Sequence, residues 1–456
     1  MKKKSSKNHD AGYFCRECGF ESLKWLGKCP ECGNWGCITE KPRTAHHTSP
    51  SLLQKTYSNP VSICDIPGEE KQRISTGISE FDRVLGGGIV PGSLVLIAGD
   101  PGIGKSTLLL QALSEISKTR GEVLCISGEE SVQQIKLRAN RLGIKEKALK
   151  VATETNIENI LAMLDELNPL VIAIDSIQTV QTSTINSPPG TVSQIRESAN
   201  IFLALAKASG IAIVLAGHVT KEGMIAGPRI LEHLVDAALY FEAGGGNSFR
   251  ILRAVKNRFG ATNEIGVFEM RDRGLKEVKN PSAIFISERP RNISGSVVVA
   301  SIEGTRPILV EIQCLVTPSS FPQPRRMSMG IDSNRLALLI AILEKKMGIS
   351  FAGKDIFINV AGGVKIIEPA IDLPVIMALV SCYFDKPFPA DTVTFGEVGL
   401  VGEVRGVDRT DIRVLESTKL GFKKVIMPAA NVQAVPSLQG IEIKGVSNLI
   451  EAIRSC

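Results

Sequence analysis

Length, composition and charge exclude several classes of protein before any motif is considered. The 456 residues are 43% apolar and 22% charged, an ordinary globular balance that excludes wholesale disorder, and a net charge of +6 favours a polyanionic partner only weakly. Residues 1–10 are Lys-rich without the apolar segment of a secretory signal, and the apolar stretch 336–343 is less than half the length that a bilayer demands. We therefore expect a cytoplasmic protein with no membrane partner.

Shifts in composition divide the chain into four parts. Residues 1–40 form a head rich in Cys, Gly and Trp, and residues 41–65 form a polar linker without periodicity. Residues 66–282 alternate short β-branched runs with helical patterns, whereas residues 283–456 mix strands and helices in an α+β pattern. We predict three folded domains, with the linker after the first.

The alternation in residues 66–282 predicts an α/β domain with a largely parallel sheet, covered by helices on both faces. Its buried strands are predicted at residues 94–98, 123–127, 170–174 and 211–216. Closely spaced strands in residues 239–268 predict an antiparallel extension of the same sheet. In the last part we predict strands at 296–302 and 356–360 and helices at 334–346 and 373–382. Functional groups are expected at the carboxyl ends of the parallel strands.

Four cysteines in the head have the spacing of a metal site. Cys15 and Cys18 form one C-x2-C pair, and Cys29 and Cys32 form a second pair ten residues later. Two such pairs can bring four thiolates together around one structural zinc ion. Chance clustering of buried or redox thiols is the alternative.

The segment between the two cysteine pairs carries Lys24, Trp25 and Lys28. These side chains could touch nucleic acid or a protein partner. A packing role for Trp25 is an equally good interpretation of the sequence.

A glycine-rich loop follows the first parallel strand and opens an apolar helix predicted at residues 108–116. This arrangement is the phosphate-binding loop of nucleotide hydrolases, in which backbone amides wrap the phosphates. Lys105 is expected to reach the outer phosphates of ATP, and the Ser106 hydroxyl to bind Mg²⁺. The residues expected to bind the nucleotide are Gly99, Asp100, Pro101, Gly102, Ile103, Gly104, Lys105, Ser106 and Thr107. A purely structural glycine-rich turn is the alternative.

Acidic residues end two further strands. Asp175 ends the strand at 170–174 and suits a role in holding the magnesium ion, although it could simply cap a helix. Glu129 and Glu130 follow the strand at 123–127, where a carboxylate could orient and deprotonate an attacking water. We favour Glu129 as the residue that orients the water. Alternatively, both acids only stabilise the start of the helix predicted at 132–142.

The fourth parallel strand runs into His218 and a Gly-rich basic loop, residues 219–229. A polar group at a strand end that faces the γ-phosphate could report the state of the nucleotide to a bound DNA strand. A structural role for His218 is equally compatible with its position.

A second cationic segment comprises Lys256, Asn257, Arg258, Phe259 and Gly260. Two cations beside an aromatic ring at a strand end suit either DNA phosphates or the ATP of a neighbouring subunit. Composition alone leaves a solvated turn as an open alternative.

Together these motifs resemble the bacterial RadA family, also called Sms, a RecA-related group of DNA repair and recombination proteins. The resemblance spans almost the whole chain and rests on the cysteine motif, the phosphate-binding loop, residues 217–223 and the pentapeptide at 256–260. It implies a RecA-like ATPase that forms a hexameric ring, is stimulated by single-stranded and branched DNA, and cooperates with the RecA-type recombinase. It also implies that Lys256 and Arg258 couple ATP turnover to DNA translocation.

The last part resembles the proteolytic domain of Lon proteases in residues 368–378 and 396–406. A Lon-type site requires a serine nucleophile and a lysine base. The serine position falls at Asp372 and the lysine position near Asp411, so we expect a proteolytically inactive platform for oligomerisation and DNA binding.

Three functional hypotheses follow. The main one is a DNA-dependent ATPase that drives branch migration and D-loop extension during homologous recombination. The second is a RecA-like regulatory ATPase that assembles partners without translocating. The third, an ATP-dependent Lon-type protease, is disfavoured by Asp372 and Asp411.

Overall fold

The computed structural model describes residues 13–22, 24–40, 62, 64, 72–218, 230–243, 249–262, 264–290, 292–436 and 438–455. Most of the predicted linker at 41–65 and the basic loop at 219–229 lie outside these residues. The chain forms two compact units, one from residues 1–77 and 87–238 and the other from residues 78–86 and 239–456. The predicted domain limits at 40, 65 and 282 stay predictions. Within the described ranges no helix is both long and apolar enough to cross a membrane.

The head folds as a small antiparallel sheet whose strand order is β2-β1-β3. Its strands are β1 (Tyr13–Cys15), β2 (Glu21–Ser22) and β3 (Ile38–Glu40). Each cysteine pair lies in a tight turn that ends in a glycine with positive φ, +76° at Gly19 and +73° at Gly33. The Gly19 N–H donates to Cys15 O and the Gly33 N–H donates to Cys29 O, both at 2.9 Å. The turns therefore hold both cysteine pairs in the same backbone conformation.

The first unit contains a parallel sheet with the order β4-β8-β7-β5-β6. After α1 (Ser79–Leu85), which belongs to the second unit, the elements in chain order are β4 (Leu94–Gly99), α2 (Lys105–Thr119), β5 (Val123–Ser127), α3 (Val132–Leu142), β6 (Leu149–Thr153), α4 (Ile157–Leu167), β7 (Val171–Asp175), α5 (Val192–Ser209) and β8 (Ala212–His218). Every residue of β4, β5 and β7 is buried, as expected for strands inside a parallel sheet. The predicted parallel strands are confirmed.

Helix boundaries in this unit follow local capping signals. The Ser131 side chain accepts from Gln134 N and the Gln134 side chain accepts from Ser131 N, a reciprocal cap that begins α3. Gly143 ends α3 with φ +75°, a left-handed conformation that glycine adopts without strain. The helix predicted at residues 132–142 is therefore confirmed at both ends.

The second unit begins with antiparallel strands and continues into a mixed sheet of order β15-β16-β14-β13-β17-β20-β21. Its remaining elements are β9 (Ala237–Ala243), which starts at the end of the first unit, β10 (Phe249–Asn257), β11 (Ile265–Arg271), β12 (Gly274–Glu277), α6 (Pro281–Phe285), β13 (Ser296–Glu303), β14 (Arg306–Pro318), β15 (Arg326–Met329), α7 (Ser333–Met347), β16 (Lys354–Val360), α8 (Asp372–Tyr383), β17 (Thr392–Thr394), β18 (Glu397–Val398), β19 (Val404–Arg405), α9 (Thr410–Lys419), β20 (Lys424–Pro428), β21 (Glu442–Val446) and α10 (Leu449–Arg454). Strands β10, β11 and β12 pair antiparallel, as predicted for residues 239–268. The predicted helices at 334–346 and 373–382 are also confirmed.

Helix α1 is held to two strands that follow it far along the chain, with contacts 187 and 226 residues beyond Glu80. Glu80 is buried and accepts from the Val267 N–H at 3.0 Å and from the Arg306 guanidinium at 2.7 Å. A buried carboxylate requires such partners, because an unpaired charge would cost several kcal/mol. This contact explains why residues 78–86 group with the second unit.

Candidate nucleotide site and metal centre

Parallel pairing brings the predicted nucleotide-binding residues to one edge of the first unit's sheet. Gly99 on β4 pairs with His218 on β8, and Ser127 on β5 pairs with Asp175 on β7. All four strands run in the same direction, so their carboxyl ends and the loops that follow them meet at this edge. The structure therefore gathers motifs that are more than one hundred residues apart in the sequence.

The glycine-rich loop has the backbone conformation that a phosphate cradle needs. Gly102 and Gly104 have φ values of +74° and +121°, a region that L-residues with a side chain rarely adopt. Helix α2 begins at Lys105 directly after the loop, so its free N–H groups and its positive dipole end point toward the cradle.

Lys105 is buried and donates to three acceptors. Its Nζ lies 2.8 Å from Gly99 O, 2.9 Å from Asp100 O and 3.1 Å from His218 Nδ1. Burial lowers the pKa of Lys105, against the attraction of Asp175 and nearby carboxylates. The ammonium is thus folded back over its own loop and uses all three of its N–H donors.

Asp175 lies where the sequence predicts a magnesium-binding acid. It is 8% exposed, and burial raises its pKa, with a hydrogen bond from the Ser106 hydroxyl acting in the opposite direction. Ser106 and Asp175 are therefore neighbours, the arrangement that their proposed role at Mg²⁺ requires. A divalent cation would offset the cost of burying this carboxylate.

Glu129 is held by two donors. Its Oε1 accepts from the Ser176 hydroxyl at 2.5 Å and from His218 Nε2 at 2.9 Å. Burial alone would raise the pKa of Glu129, but these hydrogen bonds and the nearby Lys105 outweigh it, so the pKa lies below its usual range. Gly128 lets the backbone before Glu129 pass close to Thr179, because a Cβ there would lie 2.1 Å from Thr179 Oγ1.

Glu130 has a different partner. It forms an ion pair with Arg138 on α3, and its backbone N–H donates to Ser127 Oγ at 2.9 Å. The structure thus separates two adjacent acids that the sequence could not rank firmly. Glu129 is tied to His218 and Ser176, whereas Glu130 is tied to helix α3.

His218 contacts both sides of the site. Its ring lies between Lys105, which donates to Nδ1, and Glu129, which accepts from Nε2. Gln178 also donates from Nε2 to the His218 carbonyl at 3.3 Å. The basic loop that starts at residue 219 lies outside the described residues, so only its first neighbour, His218, is placed.

Motif spacing missed three side chains that surround these acids. Ser176 follows Asp175 directly, Gln178 lies two residues beyond Ser176, and Arg138 is eight residues after its partner Glu130. A polar residue next to a strand-end acid was a visible signal for Ser176. Nothing in the sequence pattern distinguished Arg138 from an ordinary solvated helix cation.

The cysteine cluster has the geometry of a tetrahedral metal site. The sulfurs of Cys15, Cys18, Cys29 and Cys32 all lie within 4.8 Å of one another. Cys15 Sγ lies 3.6 Å from Cys32 Sγ, and Cys18 Sγ lies 3.4 Å from Cys29 Sγ. Four ligands at the usual Zn–S distance of about 2.3 Å would be spaced by a little under 4 Å. The four sulfurs therefore fit one zinc ion.

The protein shifts the pKa values of three of these thiols in different directions. Burial would raise the pKa of Cys29, but backbone N–H groups of Cys32 and Glu31 and two neighbouring thiols lower it to about 7. Burial and neighbouring thiols raise the pKa of Cys18. The backbone N–H of Asn34 would lower the pKa of Cys32, but burial and neighbouring thiols raise it. Because zinc binding requires thiolates, a metal ion would have to displace the protons of Cys18 and Cys32. Cys37, a fifth cysteine of the head that the motif missed, is buried and donates its S–H to Asn34 O at 3.1 Å.

Comparison with known proteins identifies the family. Three family models match parts of the chain, the KaiC ATPase family over residues 74–162, the rubredoxin metal-binding domain over residues 13–40 and subunit ChlI of Mg-chelatase over residues 334–431. The DNA repair protein RadA of Bacillus subtilis (strain 168) is 54% identical over 97% of this chain and 98% of its own length. The corresponding proteins of Halalkalibacterium halodurans and Listeria monocytogenes are each 49% identical, covering 99% and 97% of this chain and 99% and 97% of their own lengths.

The chain belongs to the RadA family of DNA repair proteins. Its predicted fold class, a RecA-like α/β core with a cysteine zinc ribbon and an α+β C-terminal region, is confirmed by the family matches and the topology. The predicted cofactors ATP, Mg²⁺ and Zn²⁺ are confirmed by the ATPase and metal-binding matches together with the cysteine cluster.

Two similar solved structures each match less than half of this RadA family member. A KaiC-like protein from Pyrococcus horikoshii OT3 is 19% identical over 45% of this chain and 99% of its own, with a TM-score of 0.39. A RadB recombinase is 20% identical over 45% of this chain and 100% of its own, with a TM-score of 0.37.

The RadA pentapeptide at 256–260 comprises the last two residues of β10 and the turn that follows it in the second unit. Asn257 organises it, since its Nδ2 donates to Val84 O at 3.2 Å and its Oδ1 accepts from Phe259 N at 2.9 Å. Gly260 packs against Gly86, and a Cβ on Gly260 would lie 2.9 Å from the Gly86 Cα atom. Asn257 and Gly260 therefore build the turn that presents Lys256 and Arg258.

The Lon-like region of this RadA family member carries an ion pair at the serine position. Asp372 is fully buried at the start of α8, and Arg335 donates Nε to its Oδ1 at 2.7 Å. The Val398 N–H also donates to Asp372, at 3.0 Å. Asp411 is exposed in the first turn of α9. Neither position offers the nucleophile or base of a Lon-type protease.

Proposed function

We propose that this chain is an ATP-driven DNA motor that drives branch migration and D-loop extension at recombination intermediates. It is a DNA repair protein with a RecA-like ATPase core, as family membership shows. The motor would act in the cytoplasm as a homohexameric ring on single-stranded and branched DNA, together with a RecA-type recombinase. The observation that carries the proposal is the chain of contacts from Lys105 through His218 to Glu129.

This chain of contacts suits a sensor of bound nucleotide. All three N–H donors of Lys105 are engaged, two by loop carbonyls and one by His218. Lys105 must release at least one of these acceptors to reach a phosphate oxygen. If Lys105 released His218, the His218 side chain would be free to move. His218 directly precedes the basic loop at 219–229, and we propose that this loop contacts DNA.

The same contacts support a proposed role for each of these residues in ATP hydrolysis. Ser106 and Asp175 would hold Mg²⁺, which neutralises charge on the phosphates when bound. Glu129 is ionised because its pKa is lowered, so it can accept a proton from an attacking water. His218 and Ser176 fix the orientation of the Glu129 carboxylate. Glu130, held by Arg138, would position α3 instead.

We further propose that Lys256 and Arg258 couple turnover to movement, across a subunit boundary or on DNA phosphates. The turn that carries them is stiff, because Asn257 fixes it to the end of α1. A stiff turn keeps both cations at a defined place, which a coupling role requires.

The test compares ATP turnover with and without single-stranded DNA for the unaltered chain, Lys105→Ala and His218→Asn. We expect DNA to stimulate turnover of the unaltered chain, Lys105→Ala to abolish turnover, and His218→Asn to lower basal turnover and also to reduce the ratio of DNA-stimulated to basal turnover. A strand-displacement assay on a forked substrate completes the test. Turnover without stimulation and without displacement would favour a regulatory ATPase that assembles partners.

A further inference from the structure

The zinc ribbon exposes both tryptophans of the chain. The sequence contains two, Trp25 and Trp35, and their side chains are 61% and 76% exposed. Burying an aromatic side chain is strongly favourable, and tryptophan is rarely left in water without a reason. Two exposed tryptophan rings on one small domain therefore indicate a binding surface, because covering them with a partner lowers the free energy.

Neither indole contributes to the core of the ribbon. That core is formed by buried cysteines and Ile38, with Tyr13, Phe20 and Leu26 packed against it. Tyr13 and Phe20 therefore pack on this core, whereas the two tryptophans do not. The sequence left open a packing role for Trp25. In the structure Trp25 is exposed and is not part of the ribbon core.

The two rings are neighbours, held together by the backbone. Lys28 and Trp35 form an antiparallel bridge, and the Gly36 N–H donates to Gly27 O at 2.9 Å. A methyl group on Gly27 would lie 3.7 Å from the Trp25 ring and 3.7 Å from the Trp35 ring. The gap between the two indole rings beside Gly27 is therefore no wider than about one methyl group. The hydrogen bond from the Gly36 N–H fixes the backbone of Gly27.

Positive charge accompanies the rings. Lys24 and Lys28 are exposed on the same segment, and Lys28 Nζ lies 5.8 Å from the centroid of the Trp35 ring. Aromatic faces next to lysines are the combination by which proteins bind single-stranded nucleic acid, with bases on the rings and phosphates near the cations. Bases inside a duplex have their faces covered by their neighbours and are not available for such stacking.

We propose that Trp25 and Trp35 form a stacking platform for unpaired bases of single-stranded DNA, with Lys24 and Lys28 near the phosphates. This inference rests on the proposed action on DNA and adds a location and a mode of binding. The zinc ion would act indirectly, because the cysteine turns fix the segment that carries both rings.

Intrinsic fluorescence tests the platform directly, because the chain has no other tryptophan. The full zinc-loaded protein is titrated with an oligo(dT) strand and with a duplex of the same length, without nucleotide. Stacking on a base quenches indole emission, so we expect strong quenching by oligo(dT) and weak quenching by the duplex. Trp25→Ala and Trp35→Ala should each lose part of the quenching.

Affinity for a dye-labelled oligo(dT) is measured in parallel by anisotropy. Each tryptophan variant should bind roughly 5- to 150-fold more weakly, the loss expected for one base stack. Phe384→Ala is the matched control, since it removes a ring that is 54% exposed outside the ribbon and leaves both tryptophans in place. Zinc content near one ion per chain confirms that each variant keeps its ribbon.

The outcomes separate this inference from the proposed motor. Oligo(dT) binding without quenching, or unchanged affinity in both tryptophan variants, overturns the platform while DNA-stimulated ATP turnover still supports the motor. Quenching by a purified RecA-type recombinase but not by oligo(dT) also overturns it, because the surface would then bind protein. Quenching by oligo(dT) that each variant reduces supports it.

Discussion

Arg138 on helix α3 forms an ion pair with Glu130, one of the two adjacent acids that follow β5. Glu129, one residue earlier, is bound by His218 and Ser176 instead. The two adjacent carboxylates therefore have different partners, while Glu130 and Arg138 also line a small cavity together with Ser106 and Asp175.

This separation predicts different effects for two matched substitutions. Glu129→Gln keeps the size of the side chain but removes the proton acceptor, so kcat for ATP hydrolysis should fall by roughly 10²- to 10⁴-fold. Nucleotide affinity should change little, because the phosphate loop is untouched. Steady-state turnover and binding of a fluorescent ATP analogue give the two quantities.

Glu130→Gln is the control for that prediction. It weakens the ion pair with Arg138 and should lower kcat by less than about 10-fold, since the pair is partly exposed and contributes little beyond holding α3. A larger loss of turnover in Glu130→Gln than in Glu129→Gln would reverse the assignment of the two acids.

The zinc site predicts that four of five neighbouring cysteines are required for zinc binding and that Cys37 is not. Serine at any of Cys15, Cys18, Cys29 or Cys32 should leave the purified protein without zinc, because a structural site needs all four thiolates. Cys37→Ser should keep about one zinc per chain, since the Cys37 thiol is directed to the Asn34 carbonyl. Metal analysis after dialysis measures this, and zinc loss in Cys37→Ser would contradict it.

The close packing of the pentapeptide turn predicts that adding one methyl group at Gly260 lowers the stability of the protein. In Gly260→Ala the new Cβ would meet the Gly86 Cα atom at 2.9 Å, and backbone atoms cannot move aside as a flexible side chain can. The apparent free energy of unfolding should fall by about 1–3 kcal/mol. Urea denaturation measures the change, and Ala261→Ser at the exposed neighbouring position should leave it unaltered.

Local patterns predicted most of the fold and the metal and nucleotide motifs. Strand β5 and helix α3 match their predicted limits because β-branched runs and capping residues act over a few positions. Contacts between distant residues were not accessible in this way. The Glu80 contacts with Val267 and Arg306 depend on tertiary folding, and no periodicity encodes them.

The candidate site shows the same limit. The phosphate loop and Asp175 follow from spacing, whereas the ranking of Glu129 over Glu130 required the positions of His218 and Arg138. The exposure of Trp25 could not be decided from the sequence, because a tryptophan between a lysine and a leucine suits a core and a surface equally. Burial is a property of the folded chain and not of the residue type.

A pair of thiols in the second unit predicts an unusual pH dependence. The hydrogen bond from Cys314, together with the Val316 N–H at 3.2 Å, lowers the pKa of Cys382 to about 6. Alkylation of Cys382 by iodoacetamide should therefore rise through about pH 6 and level off by neutral pH, because the thiolate is the nucleophile. Peptide mass spectrometry reports labelling at this residue.

Two variants at Cys314 check the cause. Cys314→Ala removes the donor and should move the midpoint upward, toward the ordinary thiol range of about 8.5. Cys314→Ser retains a hydroxyl donor and should keep much of the shift. Equal midpoints in all three proteins would show that Cys314 does not set the reactivity of Cys382.

The Lon-like region predicts that restoring a serine will not restore a protease. Asp372→Ser supplies a hydroxyl at the nucleophile position, but Asp411 still stands near the position of the lysine base, so casein cleavage should stay at background. The substitution should also destabilise the protein by up to about 3 kcal/mol, because Arg335 and the Val398 N–H lose their acceptor. The loss is smaller than for a fully buried pair, since the Arg335 side chain is 31% exposed and can rehydrate. Asp372→Asn retains an acceptor and should lose less stability, while casein cleavage by Asp372→Ser alone would show that a base other than lysine serves the site.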